Sequence, residues 1–234
     1  MRTLLGIVFA FAFAVVVALG TGTVYALYRM PQLEALPARI KAEQKARGLQ
    51  MVPLSQVAPQ LQAALIATED RDFWTNIGVS FEGIARSLLV DISSGRFVEG
   101  GSTITQQLVR DQLLTLQKTI PRKLEEMVLA ITITRIEPKR EILDLYLNQV
   151  YFGNGAYGVA AAANMYFART PKDLSPAQCT LLAGLPQAPS LYDPLAHPRA
   201  AKARQREVIL AMEHAGVLTQ KAGAAILKAP WQLR

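Results

Sequence analysis

The chain has 234 residues, 51% of them hydrophobic and 18% charged, which is room for one membrane segment and one domain with a sizeable core, and no second large domain. A formal net charge of +7 and a pI near 9.7 draw it to anionic partners, and of these a membrane is preferred to a nucleic acid. Residues Leu4 to Tyr28 carry no charged side chain and are long enough to cross a bilayer, with Arg2 before and Arg29 after. An uncleaved anchor over residues 1–28 is preferred to a signal peptide, whose apolar stretch usually runs about 7–15 residues. Arg2 favours a cytoplasmic start, and Arg29 weakens that asymmetry. From 29 to 57, prolines and alternating charge read as a juxtamembrane connector with one short helix around Ala38 to Arg47.

A mainly helical domain is expected over 58–212, with a helical tail over 213–234. Leu61, Ala64, Leu65 and Thr68 recur at helical spacing, as do Leu124, Met127, Val128 and Ile131. Another helix follows Pro138 with Ile142, Leu145, Tyr146 and Gln149, and Ala160 to Phe167 and Ala177 to Leu185 read as closely packed small-residue helices. No sustained alternation or internal repeat appears. Cys179, the only cysteine, excludes an internal disulfide and reads as a packed thiol. The two histidines, His197 and His214, are expected at the surface and give weak support to a histidine-rich zinc site or a Ser-His-Asp triad.

The densest chemical signal is Gly100-Gly101-Ser102-Thr103-Ile104-Thr105-Gln106-Gln107-Leu108, in which two glycines feed a hydroxyl-rich helix start and two carboxamides. Thr103 and Gln106 fit a capping box, and the free N–H groups of a first helical turn favour an anion such as a phosphate. Gln106 and Arg110, neighbours on the helix surface, would line a groove beside Ser102 and Thr103; Asp111 adds an anion there or points away. Upstream, Glu69 ends the apolar stripe of Leu61 and Leu65, where partial desolvation raises a carboxyl toward the range of a general base or acid. Read alone, it is a helix-end glutamate paired with Arg71. Downstream, Arg122, Lys123 and Glu126 share the helical face opposite Leu124, Met127, Val128 and Ile131, and by spacing alone they form a solvated salt-bridge face.

In this order and spacing the stretches resemble the peptidoglycan glycosyltransferase domain of monofunctional transglycosylases and class A penicillin-binding proteins. Glu69, Phe73 and Gly78 match Glu-x-x-x-Phe-x-x-His-x-Gly, with Asn76 in place of the histidine. Arg122, Lys123, Glu126 and Ala130 match Arg-Lys-x-x-Glu-x-x-x-Ala, while Thr134 stands where the family has a further glutamate. Arg110 replaces a lysine and Asp111 an asparagine. Lys139 to Asn148, then Gly153 and Gly158, match a fourth motif with Asp144 for glutamate. Tyr166-Phe167, Leu181 to Gln187 and Asp193-Pro194 complete the pattern, with Gln178 where an acid is usual. The likeness runs from about Leu61 to Met212.

The resemblance implies a lysozyme-like helical fold with a large lobe and a smaller mobile lobe beside the membrane. It implies polymerisation of peptidoglycan glycan chains from lipid II by inverting glycosyl transfer, with Glu69 as base and Glu126 near the leaving diphosphate. Ser102, Thr103, Gln106, Gln107, Arg110, Lys118, Arg122, Lys123 and Asn148 become substrate-binding candidates. A divalent cation, magnesium or manganese, is expected, with the neighbourhood of Glu126 as its candidate place. The expected setting is the bacterial inner membrane, crossed once, with the domain on the outer side and transpeptidases as partners. Two rival readings are a lysozyme-like glycan-cleaving enzyme and a weakly active scaffold of cell-wall synthesis, the latter motivated by Asn76, Asp111, Thr134 and Gln178. No penicillin-reactive Ser-x-x-Lys domain lies before Arg234, so a stand-alone enzyme is the expectation, with the first module of a longer bifunctional synthase as the alternative.

Overall fold

A computed structural model describes the backbone of residues 2–85, 101–115, 117 and 119–234, and the side chains of these residues from 16 onward apart from 18 and 19. The helices are α1 Arg2–Glu34, α2 Leu36–Ala46, α3 Pro59–Glu69, α4 Ile104–Leu113, α5 Ile120–Ile136, α6 Lys139–Gln149, α7 Val159–Phe167, α8 Pro176–Gly184, α9 Pro198–His214 and α10 Gln220–Lys228. Among the described residues the only extended pairing is an isolated bridge between Tyr151 and Tyr157. Proline stands in the first turn of α2, α3, α5, α8 and α9, where its missing N–H costs no intrahelical bond. Thr103, Thr119, Ser175 and Thr219 supply side-chain caps to α4, α5, α8 and α10.

Two packed groups position the site. α3, α8 and α9 pack on one another, and α4 lies across α5 and α6, while α1 runs along α5. Leu61, Ala64 and Leu65 of α3, Leu182 of α8 and Val208 of α9 are fully buried, and a leucine so placed contributes about 1.5–3 kcal/mol. The small-residue reading of α7 and α8 holds: Ala162, Ala163 and Ala183 are buried where helices approach closely. Cys179 is a packed thiol, pushed up to about 12 by burial. The core extends upstream of the expected domain start, since Leu33, Leu36 and Ile40 are inaccessible to solvent.

The anchor reading falls largely on side chains outside those described. The backbone of α1 is one helix, and among the described residues no helix is long and apolar enough to cross a membrane. On α5 the expected division into one apolar and one solvated face does not hold. Glu126, Leu129, Ala130 and Ile133 are buried, whereas Leu124 is exposed and Met127, Val128 and Ile131 are half-buried. The reason is that α5 sits between α1 and α4 and carries apolar residues on two sides, so its amphipathic pattern does not mark a single inward face. α9 was not anticipated as a helix; its buried stripe is Ala201, Arg204, Gln205, Val208, Ile209 and Met212. The tail is tied down where Trp231 Nε1 donates to Gln205 Oε1 at 2.9 Å and Gln178 Nε2 to the Trp231 carbonyl at 2.8 Å.

Candidate active site

The site is built around the start of α4. The capping box forms as read: Gln106 N–H donates to Thr103 Oγ1 and Thr103 N–H to Gln106 Oε1, both at 3.1 Å. The anion at this helix start is the protein's own, because Ile104 N–H donates to Asp70 Oδ2 at 3.1 Å. At this helix start the N–H groups of Thr103, Ile104 and Gln106 are thus engaged within the protein. Ser102 remains accessible beside it and accepts from Lys123 Nζ at 2.6 Å.

Asp70 is 5% exposed and lies in a closed polar network. Asn76 Nδ2 donates to Asp70 Oδ1 at 2.8 Å, and Asn76 Oδ1 accepts from Lys139 Nζ at 2.7 Å and from Gly78 N–H at 2.9 Å. Asparagine at the family's histidine position therefore bridges the buried Asp70 and the half-buried Lys139 through hydrogen bonds, without itself carrying charge. Burial pushes the Asp70 carboxyl up to about 6, against the hydrogen bonds from Asn76 and Ile104, and lowers Lys139 to about 8. Thr103 Oγ1 donates to the Gly78 carbonyl at 2.7 Å, and Gly78 has φ +102 with an added Cβ only 2.2 Å from the Ala130 carbonyl oxygen. Glycine is required there by both conformation and space. Thr134, in place of the family's glutamate, closes its hydroxyl on the Ala130 carbonyl at 2.8 Å.

Adjacent glutamines of α4 each hold one of the two candidate glutamates. Gln107 Nε2 donates to Glu69 Oε2 at 2.8 Å, and its Oε1 accepts from the buried Tyr146 hydroxyl at 3.1 Å. Gln106 Nε2 donates to Glu126 Oε1 at 3.0 Å. The environments of the two carboxylates differ. Burial raises the Glu69 carboxyl, opposed by Gln107, Arg204 and Arg110. The pairing with Arg71 read from the sequence is absent, since Arg71 Nη2 meets Glu82 Oε1 at 2.8 Å. Glu126, 1% exposed, receives Arg122 Nη1 on Oε2 at 2.6 Å and Lys123 Nζ on Oε1. The salt-bridge cluster is thus real but turned inward.

A cleft of about 250 Å³ opens on Glu69, Asp70, Ser80, Ser102, Thr103 and His214. His197 and His214 are both exposed, as expected. Asp111 accepts from Arg110 Nε at 2.7 Å. Asn148 is not brought to the cleft: buried in α6, it accepts from Val52 N–H at 2.7 Å and donates to the Val52 and Asp144 carbonyls. Lys118 lies outside the described residues. The surroundings of Glu126 do not fit a protein-held divalent ion, because its three partners are N–H donors, two of them cationic. Among the described residues no group of three or more His, Cys, Asp or Glu side chains gathers to hold one.

The profile of the family described as Transglycosylase matches residues 37–213. The chain belongs to the transglycosylase family. Penicillin-binding protein 1A of Aquifex aeolicus is 44% identical over 168 residues, which are 72% of this chain and 23% of that protein. Penicillin-binding protein 1F of Bacillus subtilis is 40% identical over 170 residues, 73% of this chain and 24% of the relative. For penicillin-binding protein 1A of Escherichia coli the figures are 39% over 224 residues, 88% and 26%. The chain therefore spans about a quarter of the length of these curated relatives. Among solved structures, penicillin-binding protein 1A from Haemophilus influenzae aligns over 79% of this chain and 18% of its own, at 24% identity and a TM-score of 0.49.

The sequence reading of this transglycosylase site passed over Asp70, Tyr146 as a partner of Gln107, and Arg204. Arg204 was detectable in principle, as a cation on the otherwise uncharged buried stripe of α9. Its Nη2 lies 3.7 Å from Glu69 Oε1.

Proposed function

We propose that this transglycosylase polymerises peptidoglycan glycan chains from lipid II, the undecaprenyl-diphosphate disaccharide-pentapeptide. The observation that carries the reading is the pair Gln106 and Gln107, which hold Glu126 and Glu69 in contrasting settings from one helix. Among the described residues one carboxylate has a single short hydrogen bond from a neutral donor and borders the cleft; the other receives two cations and a carboxamide. Such contrast separates a proton-transfer group from an electrostatic one.

In the reaction the acceptor's 4-hydroxyl attacks the donor's anomeric carbon with inversion. The new glycosidic C–O bond forms as the bond to the diphosphate breaks; the hydroxyl proton passes to Glu69, and undecaprenyl diphosphate leaves with the bonding electrons. Arg122 and Lys123, fixed by Glu126, and Ser102, joined to Lys123, form the positive side on which negative charge accumulates. Arg110 stands within electrostatic reach of both glutamates. No step is assigned to a metal. A lysozyme-like two-lobed arrangement, and an α1 that anchors the catalytic domain on the outer face of the bacterial inner membrane beside transpeptidases, belong to the same reading. Confinement to the surface that holds the lipid-linked substrate replaces a three-dimensional search.

The test is incubation of the detergent-solubilised chain with labelled lipid II, followed by gel separation of polymer from precursor. Polymer supports the reading. Soluble fragments released from existing glycan would replace it with a cleaving enzyme, and lipid II binding without turnover would replace it with a scaffold.

A further inference from the structure

We propose that Arg204 is a positioning residue for this reaction: from α9 it holds the Glu69 carboxylate ionised and leaves one of its oxygens open to take the acceptor's proton. The proposal rests on the reading of Glu69 as the base and adds the group that keeps it ready.

Arg204 and Glu69 are each only 10% exposed in their side chains, so their attraction is weakly screened. The guanidinium is fixed from several sides. Its Nε donates at 3.2 Å to the carbonyl of Gly184, the last residue of α8, where unpaired carbonyls and the helix dipole favour a cation. Nη1 donates to Glu207 Oε2 at 2.8 Å, and the plane sits 5.7 Å from the centre of the Tyr192 ring. Nη2 is left facing Glu69 Oε1 at 3.7 Å, inside ion-pair range and beyond a hydrogen bond.

That spacing suits a base. A bidentate guanidinium would occupy both carboxylate oxygens. Here Gln107 occupies Oε2, and among the described residues nothing hydrogen-bonds to Oε1. Arg204 thus opposes the burial that favours a neutral carboxyl without blocking the atom that must accept the proton. The other charged or titratable groups around Glu69 are Arg110 on α4, Tyr146 on α6, the adjacent Asp70, and His214 on the cleft wall.

Gly184 makes the placement possible. A Cβ there would lie 2.8 Å from Arg204 Cγ and 3.3 Å from Val208 Cγ2, so the arginine stem passes where any other residue's side chain would stand. Its backbone is not in the left-handed region, so alanine would be tolerated by the helix and felt by Arg204.

The test uses the full chain and compares pH profiles of lipid II polymerisation for wild type, Arg204→Gln, Arg204→Lys and Gly184→Ala. The account expects the acid limb of kcat/KM to move up by about one pH unit or more in Arg204→Gln, with recovery at alkaline pH. Arg204→Lys restores most of the profile, and Gly184→Ala shifts it in the same direction as Arg204→Gln with the charge still present. A uniform loss at all pH values, or an unmoved limb in both Arg204→Gln and Gly184→Ala, overturns the proposal. Isotope-edited infrared titration of the Glu69 carboxyl, with Glu69→Gln as background, reads the same shift without turnover. If wild type makes no polymer, the base reading fails on its own, while the titration still decides whether Arg204 governs Glu69.

Discussion

Replacing Asp70 by asparagine should remove a pH dependence of stability whose size follows from its burial. Asp70 lies at the start of α4 with its two oxygens on Ile104 N–H and the Asn76 amide, yet desolvation outweighs these donors. Its carboxyl is raised from an ordinary value of 3.8 to about 6. The folded chain therefore holds this proton more tightly than the unfolded chain. The contribution to stability is fully present below 3.8, declines as pH rises toward about 6, and is level above. At 1.36 kcal/mol per pKa unit, the loss amounts to about 3 kcal/mol. Denaturant unfolding of wild type and Asp70→Asn in one detergent, from about pH 4 to about pH 7, isolates the effect, because other titrating groups cancel in the difference. Wild type is expected to lose roughly 2–2.5 kcal/mol relative to the variant across that interval, the rest of the loss lying below pH 4. A difference that stays constant with pH would refute the argument that burial dominates at Asp70.

Gln107→Leu removes the donor to Glu69 and the acceptor of the buried Tyr146 hydroxyl. A hydrogen bond to a charged group is worth about 1.5–3 kcal/mol, so the acid limb of polymerisation should rise by about one to two pH units; an unmoved limb would sever Gln107 from the base. Gly78→Ala forces φ +102 on a residue with a Cβ and drives that Cβ into the Ala130 carbonyl. Backbone strain alone costs about 1–3 kcal/mol, and unfolding midpoints indistinguishable from wild type would contradict the placement of this turn against α5. Arg122→Met should lower kcat by roughly 10²-fold with a smaller change in KM, as expected of a group that acts on charge developing at the leaving diphosphate. A change confined to KM would make Arg122 a general binding group.

Local signals were legible where sequence neighbours decide the outcome. The box of Thr103 and Gln106, the helix ending at Glu69, and the helix after Pro138 are all set within a few residues. The resemblance also singled out both glutamates, and the structure wires them to adjacent glutamines. What escaped the sequence is set by packing between distant segments. Asp70 accepts from the first turn of α4 only because α3 ends beside it, and Arg204 meets Glu69 only because α9 packs against α3 and α8. The two faces of α5 are both partly covered for a similar reason. Leu124, Met127, Val128 and Ile131 look like an inward stripe, but Glu126 is drawn in by Gln106, Arg122 and Lys123 and lies on the buried side. A carboxylate satisfied by three donors is compatible with burial that its residue type alone argues against. Asn148 shows the converse: a motif residue that attracts a functional reading can be spent on the backbone, here that of Val52.

The central claim is that Glu69 takes the proton from the attacking sugar hydroxyl. The most direct measurement is the initial rate of undecaprenyl diphosphate release from lipid II by wild type and by Glu69→Gln, whose amide retains shape and loses basicity. The account predicts a fall of about 10²–10⁴-fold with lipid II binding retained. Release at the wild-type rate by Glu69→Gln would contradict it.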